Sequence, residues 1–323
     1  MSDVPRPVRF SIVIPWHRNR ENLRRAVASA MCQSHPAHEI IIVCNGPGVS
    51  DVSDIKREFG SPVIVLARPA ADANAARNCG IDAASGDYVA FLDADDEFLP
   101  QKLEMNVSFL RKSDAPILCS RGVRSRSRGV RWIFPKEMLQ PHEGIADYVF
   151  VRGNFLLCSS IVVQTQVAQK VHFREKLGKF QDTEFLIRAQ LSGFPVRTIP
   201  SALFIYHDED THGRLSRNRE FDLHLNWASE SGLLNRRTRA AFLARAVAQH
   251  EFPRKFATNL KRLVNGWWIG GIPAATTISM ACRGLIPNSL REAAFVGYTQ
   301  LRLAGSSGGA IGASTSDQRS LRE

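Results

Sequence analysis

Between Phe10 and Leu92 the chain alternates short, unbroken apolar runs with segments of helical spacing. The runs are FSIVIP at Phe10–Pro15, EIIIV at Glu39–Val43, PVIVL at Pro62–Leu66 and DYVAFL at Asp87–Leu92. Between them Leu23, Val27 and Ala30 recur at helical intervals over Glu21–Gln33, Asp51–Phe59 reads as a short polar helix, and Asp72–Ala84 returns to the helical period. A strand that is apolar at every position must be covered on both faces, and helices between consecutive strands supply that cover. The pattern therefore predicts an α/β fold, with a mostly parallel sheet flanked by helices. Hydrophobic residues at 44% and charged residues at 23% exclude collagenous, coiled-coil and disordered classes.

Beyond residue 100 the pattern is mixed. A helix is predicted over Pro100–Arg111, strands over Pro116–Ser120, Arg131–Phe134, Phe155–Val163, Val196–Ile199 and Leu203–Tyr206, and a helix over Asp182–Leu191. After about residue 217 strand patterns stop, and a Gly/Ser-rich tail begins at Gly305. These shifts divide the chain into an α/β unit over 1–213, a helical C-terminal region over 214–304 and a disordered tail over 305–323. Charge follows the same division. The formal net charge is +11, and residues 214–323 carry 16 basic against 7 acidic side chains. Such a basic region suits an anionic membrane surface or nucleic acid. Six scattered cysteines form neither a disulfide framework nor a zinc ligand set. The N-terminal residues have no apolar core of a signal peptide, so a cytoplasmic protein is expected.

The stretch GDYVAFLDADDEFLP (Gly86–Pro100) carries the most chemical information. With 16 aspartates in the chain, chance gives roughly 0.8 DxD tripeptides, and a second one does occur at Asp208 and Asp210. Context separates the two. Asp93 and Asp95 end a buried strand, where open α/β sheets gather their ligands. With Asp96 they form a cluster of acids that would repel one another unless a cation joins them. Hard oxygen ligands there suit Mg²⁺ or Mn²⁺ bridging to a substrate phosphate.

The run NAARNCGIDAASGDYVAFLDADDEFLPQKLE (Asn74–Glu104), together with the opening FSIVIPWHRNRENLRRAVASAMCQS, resembles the family 2 glycosyltransferases of the GT-A fold. The resemblance covers about residues 9–213. It implies that Pro15 and His17 contact the nucleotide base, that Arg77 is the basic residue near the nucleotide, that Asp93 contacts ribose and helps hold metal, and that Asp95 holds the metal on the diphosphate. It also places a general base in KFQDTEFLIRAQLSG, at Asp182, with Gln181 where the family usually has Glu. Asp182 reads equally as the N-cap of that helix. Where the family commonly has D-D-x-S after its second strand, this chain has Cys44 and Asn45. Asn45 can present a carbonyl and an amide to a base edge. A UDP-sugar is the expected donor, with guanosine or another base left open. In YHDEDTHGRLS (Tyr206–Ser216), His207 is a candidate late metal ligand and His212 a candidate diphosphate contact, on a segment predicted to close over the donor.

Arginines at 121, 124, 126, 128 and 131 lack the interleaved aromatics of a nucleic-acid site, so no nucleic-acid partner is expected and a flexible basic loop is predicted. The uncharged stretch Leu263–Cys282 is as long as a membrane span, yet it holds three Gly and a Pro, with Trp267 and Trp268 within it. A shallow contact with an anionic membrane, a packed helical hairpin and a true span all remain open readings. A peripheral location on the inner face of the plasma membrane is expected. The functional expectation is an inverting, metal-dependent glycosyltransferase moving a sugar to a glycan or lipid-linked acceptor in surface glycan synthesis. A non-catalytic nucleotide-sugar-binding relative is the alternative. A phosphatase reading fails because Glu97 stands where that motif needs Thr or Val.

Overall fold

Every residue of strand β1 (Phe10–Trp16) and of strand β2 (Glu39–Asn45) is buried, and the two run parallel with Ser11 opposite Glu39. Their apolar side chains divide by parity. Val13, Ile41 and Val43 enter one core cluster, and Ile12, Ile14, Ile40 and Ile42 enter the other. This two-sided burial accounts for the unbroken apolar runs, since successive side chains of a strand point to opposite faces. A computed structural model describes residues 6–46, 51–113, 115–126, 130–208, 221–230, 232–248 and 255–285.

Strand β3 (Val63–Arg68) pairs parallel with β2, and β4 (Tyr88–Phe91) parallel with β1. Helices α1 (Arg20–Met31), α2 (Val52–Phe59) and α3 (Ala73–Ala83) connect these four strands. The sheet then changes character. Strands β5 (Glu97–Phe98), β6 (Ile117–Arg126), β7 (Val130–Phe134), β8 (Ile161–Gln164) and β9 (Val196–His207) complete a nine-stranded sheet ordered β3-β2-β1-β4-β8-β6-β9-β5, with β7 paired to β6. β8 lies antiparallel between β4 and β6, while β6 and β9 run parallel. Helices α4 (Lys102–Leu110), α5 (Thr165–Val171) and α6 (Gln181–Leu191) complete this part of the chain.

Three sequence expectations are corrected. Residues 155–160 are not strand: Cys158–Ser160 form a 3-10 turn and the strand starts only at Ile161. The turn aims the Ser159 hydroxyl so that it donates to Asp96 Oδ2 at 2.6 Å and accepts from the Asp93 N–H at 3.1 Å. The arginine run is not a loose loop, because Arg121, Arg124 and Arg126 belong to β6 and Arg131 to β7. Asp208, the first acid of the second DxD, accepts from Arg124 Nε at 3.0 Å and Arg126 Nε at 2.7 Å. Burial alone would raise its pKa, but these arginines hold it below the usual carboxylate range. Finally, the two strands predicted over 196–206 are the single strand β9.

The C-terminal segments pack on the sheet domain. Phe242, Ala244, Leu263, Ile272 and Met280 share one buried cluster with Val13 and Phe91. The stretch over 263–282 is divided between the helices Phe256–Trp268 and Ala274–Leu285, broken at Gly270–Pro273. Among the described residues, no helix is long and apolar enough to cross a membrane. The 305–323 tail lies outside the described residues.

Lys102 is fully buried in α4, with its ammonium donating to Ser120 Oγ at 3.3 Å and to the Ser160 carbonyl at 3.4 Å, over the Phe98 ring. Burial pushes its pKa down to about 7. Between that value and the ordinary lysine range the unfolded chain binds more protons than the folded one, so this residue makes stability rise with pH. Lys102→Met is expected to stabilise the fold by about 1–4 kcal/mol near pH 7, an advantage that shrinks towards pH 10. Urea denaturation of both proteins across that range measures it.

Candidate active site

Helix α3 is pinned from both sides of the cleft. Its N-cap Asp72 accepts from the N–H groups of Asn74 and Ala75, and Asp72 Oδ2 also accepts from the Lys176 N–H at 2.6 Å. Asn74 Nδ2 donates to the Arg174 carbonyl at 2.7 Å. One turn on, Asn78 donates to the Phe173 carbonyl at 2.9 Å and accepts from the Phe173 N–H at 2.7 Å. Short polar side chains on α3 thus replace a backbone ladder along residues 173–177 and carry that segment towards α6.

Arg77 lies between these asparagines and is 5% exposed. Its Nη1 donates to Asn74 Oδ1 at 3.0 Å and to Gln181 Oε1 at 2.8 Å, and its Nη2 donates to Asp93 Oδ1 at 2.7 Å. The guanidinium sits 5.3 Å from the centre of the Phe173 ring, which stacks on Phe185 of α6. One buried cation therefore joins the end of β4 to the first residue of α6. Burial would lower its pKa, but the neighbouring Cys158, Asp93 and Asp182 together raise it.

A cleft among the described residues has a volume of about 1220 Å³. Pro15, His17, Asn45, Arg77, Asp93, Asp95 and Asp182 all line it, although they come from six separate elements or turns. At one end of the cleft, His17 Nδ1 lies 3.1 Å from Asn45 Oδ1 and 3.2 Å from the Asn45 carbonyl. When Nδ1 is protonated it donates to both, which leaves the Asn45 amide N–H groups for a ligand acceptor. Gly46, at φ +55°, makes that approach possible, since a Cβ there would come 2.8 Å from the His17 ring.

Asp182 does not cap α6. Phe180, at φ 59°, is the N-cap residue, and Asp182 Oδ1 accepts instead from the Thr183 N–H at 2.8 Å. Burial pushes the Asp182 carboxyl up to about 6, against the pull of that N–H and of Arg77. A carboxylate with this pKa is a stronger proton acceptor than an ordinary aspartate while remaining largely ionised at neutral pH.

His207 does not line the cleft. It ends β9, where its Nε2 lies 2.6 Å from Glu97 Oε2. His212 lies outside the described residues. Among the described residues no three His, Cys, Asp or Glu side chains converge on one point as a ready cation site. The donor set still fits Mg²⁺ or Mn²⁺. Asp93 and Asp95 bring only hard oxygens to the same wall, and such ions are commonly held by one or two carboxylates with phosphate and water completing the shell.

Several wall residues carry no signal in the sequence reading. Phe155, Lys179, Phe180, Tyr206 and Arg245 line the cleft from the central and C-terminal segments. Phe180 packs against Phe150, Trp227 and Phe242, and thus fixes the turn that precedes Asp182. Its place directly before the Gln181–Asp182 pair was the one available hint.

Comparison with known proteins places this geometry. The family model described as Glycosyl transferase family 2 matches residues 11–169. The amylovoran biosynthesis glycosyltransferase AmsB of Erwinia amylovora is 30% identical over 230 residues, covering 68% of this chain and 76% of that protein. The uncharacterized glycosyltransferase RP339 of Rickettsia prowazekii is 24% identical over 271 residues, covering 80% of each. A crystal structure of TarS from S. aureus in complex with UDP-GlcNAc superposes with a TM-score of 0.60 at 16% identity, covering 82% of each chain, and shares the fold.

The Arg77 network makes a stability prediction. Arg77→Met strands the Asp93 carboxylate and the carbonyl oxygens of Asn74 and Gln181, so a loss on the order of 3 kcal/mol is expected. The shift of the urea midpoint at constant m-value reads it.

Proposed function

Because the chain belongs to glycosyl transferase family 2, we propose that this glycosyltransferase moves a sugar, with inversion, from a nucleoside diphosphate donor to a hydroxyl of a glycan or lipid-linked acceptor during surface polysaccharide synthesis. The observation that carries the reading is the one cleft that Asp93, Asp95 and Asp182 all line, with Arg77 donating both to Asp93 and to Gln181 beside Asp182. The naming of AmsB for amylovoran biosynthesis supports a polysaccharide product. The UDP-GlcNAc held by TarS supports a UDP-sugar donor.

In this reading the nucleotide base lies by Pro15, His17 and Asn45, with the ribose near Asp93. Asp95 and Asp93 would hold Mg²⁺ or Mn²⁺ on the diphosphate, and that ion when bound supplies stabilisation of the leaving group's growing negative charge. Ionised Asp182 accepts the proton of the acceptor hydroxyl as the oxygen forms its bond to the sugar's anomeric carbon. The bond from that carbon to the diphosphate breaks with its electron pair leaving on phosphate, so one displacement inverts the centre. Arg77 acts at one remove, fixing Asp93 and, through Gln181, the start of α6. Gln181 keeps the hydrogen bond to Arg77 without adding a second negative charge beside Asp182.

Asp182 is competent only when ionised, so turnover should rise with pH through about 6. Nucleoside diphosphate release from a panel of nucleotide sugars with Mn²⁺ tests the assignment. Asp182→Asn is expected to remove about 10²–10⁴-fold of the rate together with the acid limb of the pH profile. Asp95→Ala is expected to abolish the dependence on metal. Wild-type rates from Asp182→Asn would refute the base.

The membrane reading has its own support. Phe256, Leu260, Val264, Trp267 and Trp268 are exposed along one arc of the Phe256–Trp268 helix, with Trp268 77% exposed, and Ile278 of the following helix is 63% exposed. Between Glu251 and Glu292 the sequence has six basic residues and no acid. Apolar side chains backed by unopposed positive charge fit a peripheral, cytoplasmic-face contact with anionic lipid. Co-sedimentation with phosphatidylglycerol vesicles should occur at low salt, weaken as salt rises, and drop by about tenfold in the Trp267→Ser, Trp268→Ser double variant. Binding unaffected by that double change would rule the surface out.

A further inference from the structure

Arg245 is a partly buried cation of the cleft that the transfer scheme does not use; Arg18 and Lys179 line the cleft as well. Arg245 comes from the helical turn Leu243–Ala248, which directly follows Phe242 of the aromatic cluster. Its Nε donates to the Phe150 carbonyl at 2.7 Å and its Nη2 to the Val151 carbonyl at 2.8 Å. Nη1 takes no hydrogen-bond partner among the described residues, and no carboxylate pairs with the group. Burial acts on it unopposed and lowers its pKa. The backbone is shaped to admit it: Gly153 stands at φ +78° directly beneath, where a Cβ would come 2.6 Å from Nη1.

Two features separate this arrangement from a simple staple between segments. Arg245 is half-buried, so its positive charge loses part of its hydration without gaining a counter-charge among the described residues, and carbonyl dipoles offset that loss only in part. A staple to two carbonyls needs donors, not charge. In addition, the guanidinium lines the cleft rather than closing over itself. A planar cation with free N–H groups matches a carboxylate or a phosphate, which can accept two parallel hydrogen bonds.

The position favours the acceptor over the donor. Phe150, whose carbonyl anchors Arg245, packs edge-on to Phe180, and Phe180 immediately precedes Gln181 and Asp182. Arg245 therefore belongs to the wall that carries Asp182. Donor charge, in contrast, would be met at the strand ends by the cation that Asp93 and Asp95 would hold. We propose that Arg245 is an oxyanion subsite for the acceptor, binding a carboxylate or phosphate carried close to the hydroxyl that is glycosylated. The proposal rests on the transfer reading above and adds to it the chemical class of the acceptor.

The test uses the full chain saturated with UDP and Mn²⁺, titrated with methyl glucuronide, glucose 1-phosphate and methyl glucoside and followed by ligand-observed NMR. At least one of the two anionic sugars is expected to bind about tenfold more tightly than the neutral glucoside, and which of them does so identifies carboxylate or phosphate as the natural group. Arg245→Gln and Gly153→Ala should bring all three sugars within about twofold, and Arg245→Lys should keep part of the preference, because charge survives without the planar fork. UDP affinity should stay within about twofold throughout. Equal affinities in the wild type, with UDP bound, would overturn the subsite and leave the transfer reading standing. A tenfold loss of UDP affinity in Arg245→Gln would overturn it as well, by placing the charge on the donor. Failure of the wild type to bind UDP or any other nucleoside diphosphate would instead sink the transfer reading on which it rests.

Discussion

The site depends on one buried guanidinium. Arg77 donates at once to Asn74, Gln181 and Asp93, and so ties helix α3, the turn after β4 and the start of α6 to a single centre. These groups lie 16 and 104 residues from it in sequence for Asp93 and Gln181 respectively, and no backbone pairing joins them. A buried cation surrounded by fixed acceptors has a narrow range of geometries, because any acceptor that moves away leaves charge unsatisfied in a poorly solvated place. That stiffness sets the separation between Asp93 and Asp182, and with it the space in which a donor and an acceptor can meet.

The rest of the molecule supplies the frame. The parallel half of the sheet places the ends of β1, β2 and β4 side by side, so Pro15, Asn45 and Asp93 arrive at one edge of the cleft. The mixed half builds the opposite wall. There the antiparallel strand β8 follows directly from the 3-10 turn that carries Ser159, whose hydroxyl bridges Asp93 and Asp96. The C-terminal helices close the third side through the Phe150–Phe180–Trp227–Phe242 cluster. Their apolar residues lie in the same core as β1, so the helical region is packed into the cleft's construction.

Much of this was legible in the chain because it is local. Apolar runs of strand length identify β1 to β4, and the acids directly after β4 have only one place to go. The reading weakened wherever a residue's partner is distant. Arg121, Arg124 and Arg126 looked like a solvated loop because the Trp132 ring and the Asp208 carboxylate that engage Arg124 and Arg126 are remote in sequence or on the other strand of a hairpin. Asp182 looked like a cap because Asp before an apolar stripe usually is one. Here the left-handed Phe180 takes the cap position, because its ring is held in the aromatic cluster. Arg245 had no motif at all.

The sequence by itself determined the α/β class, the parallel half of the sheet, and the residue types able to bind a cation and accept a proton, since period and side-chain chemistry are local properties. Only the tertiary structure decided which of these groups share a cleft, that Asp208 is neutralised by arginines while Asp93 is met by Arg77 and Ser159, and that a cation from the last third enters the site. The reason is physical. Burial, counter-charge and hydrogen-bond partners come from segments far apart in the chain, and they exist only once the core has brought those segments together.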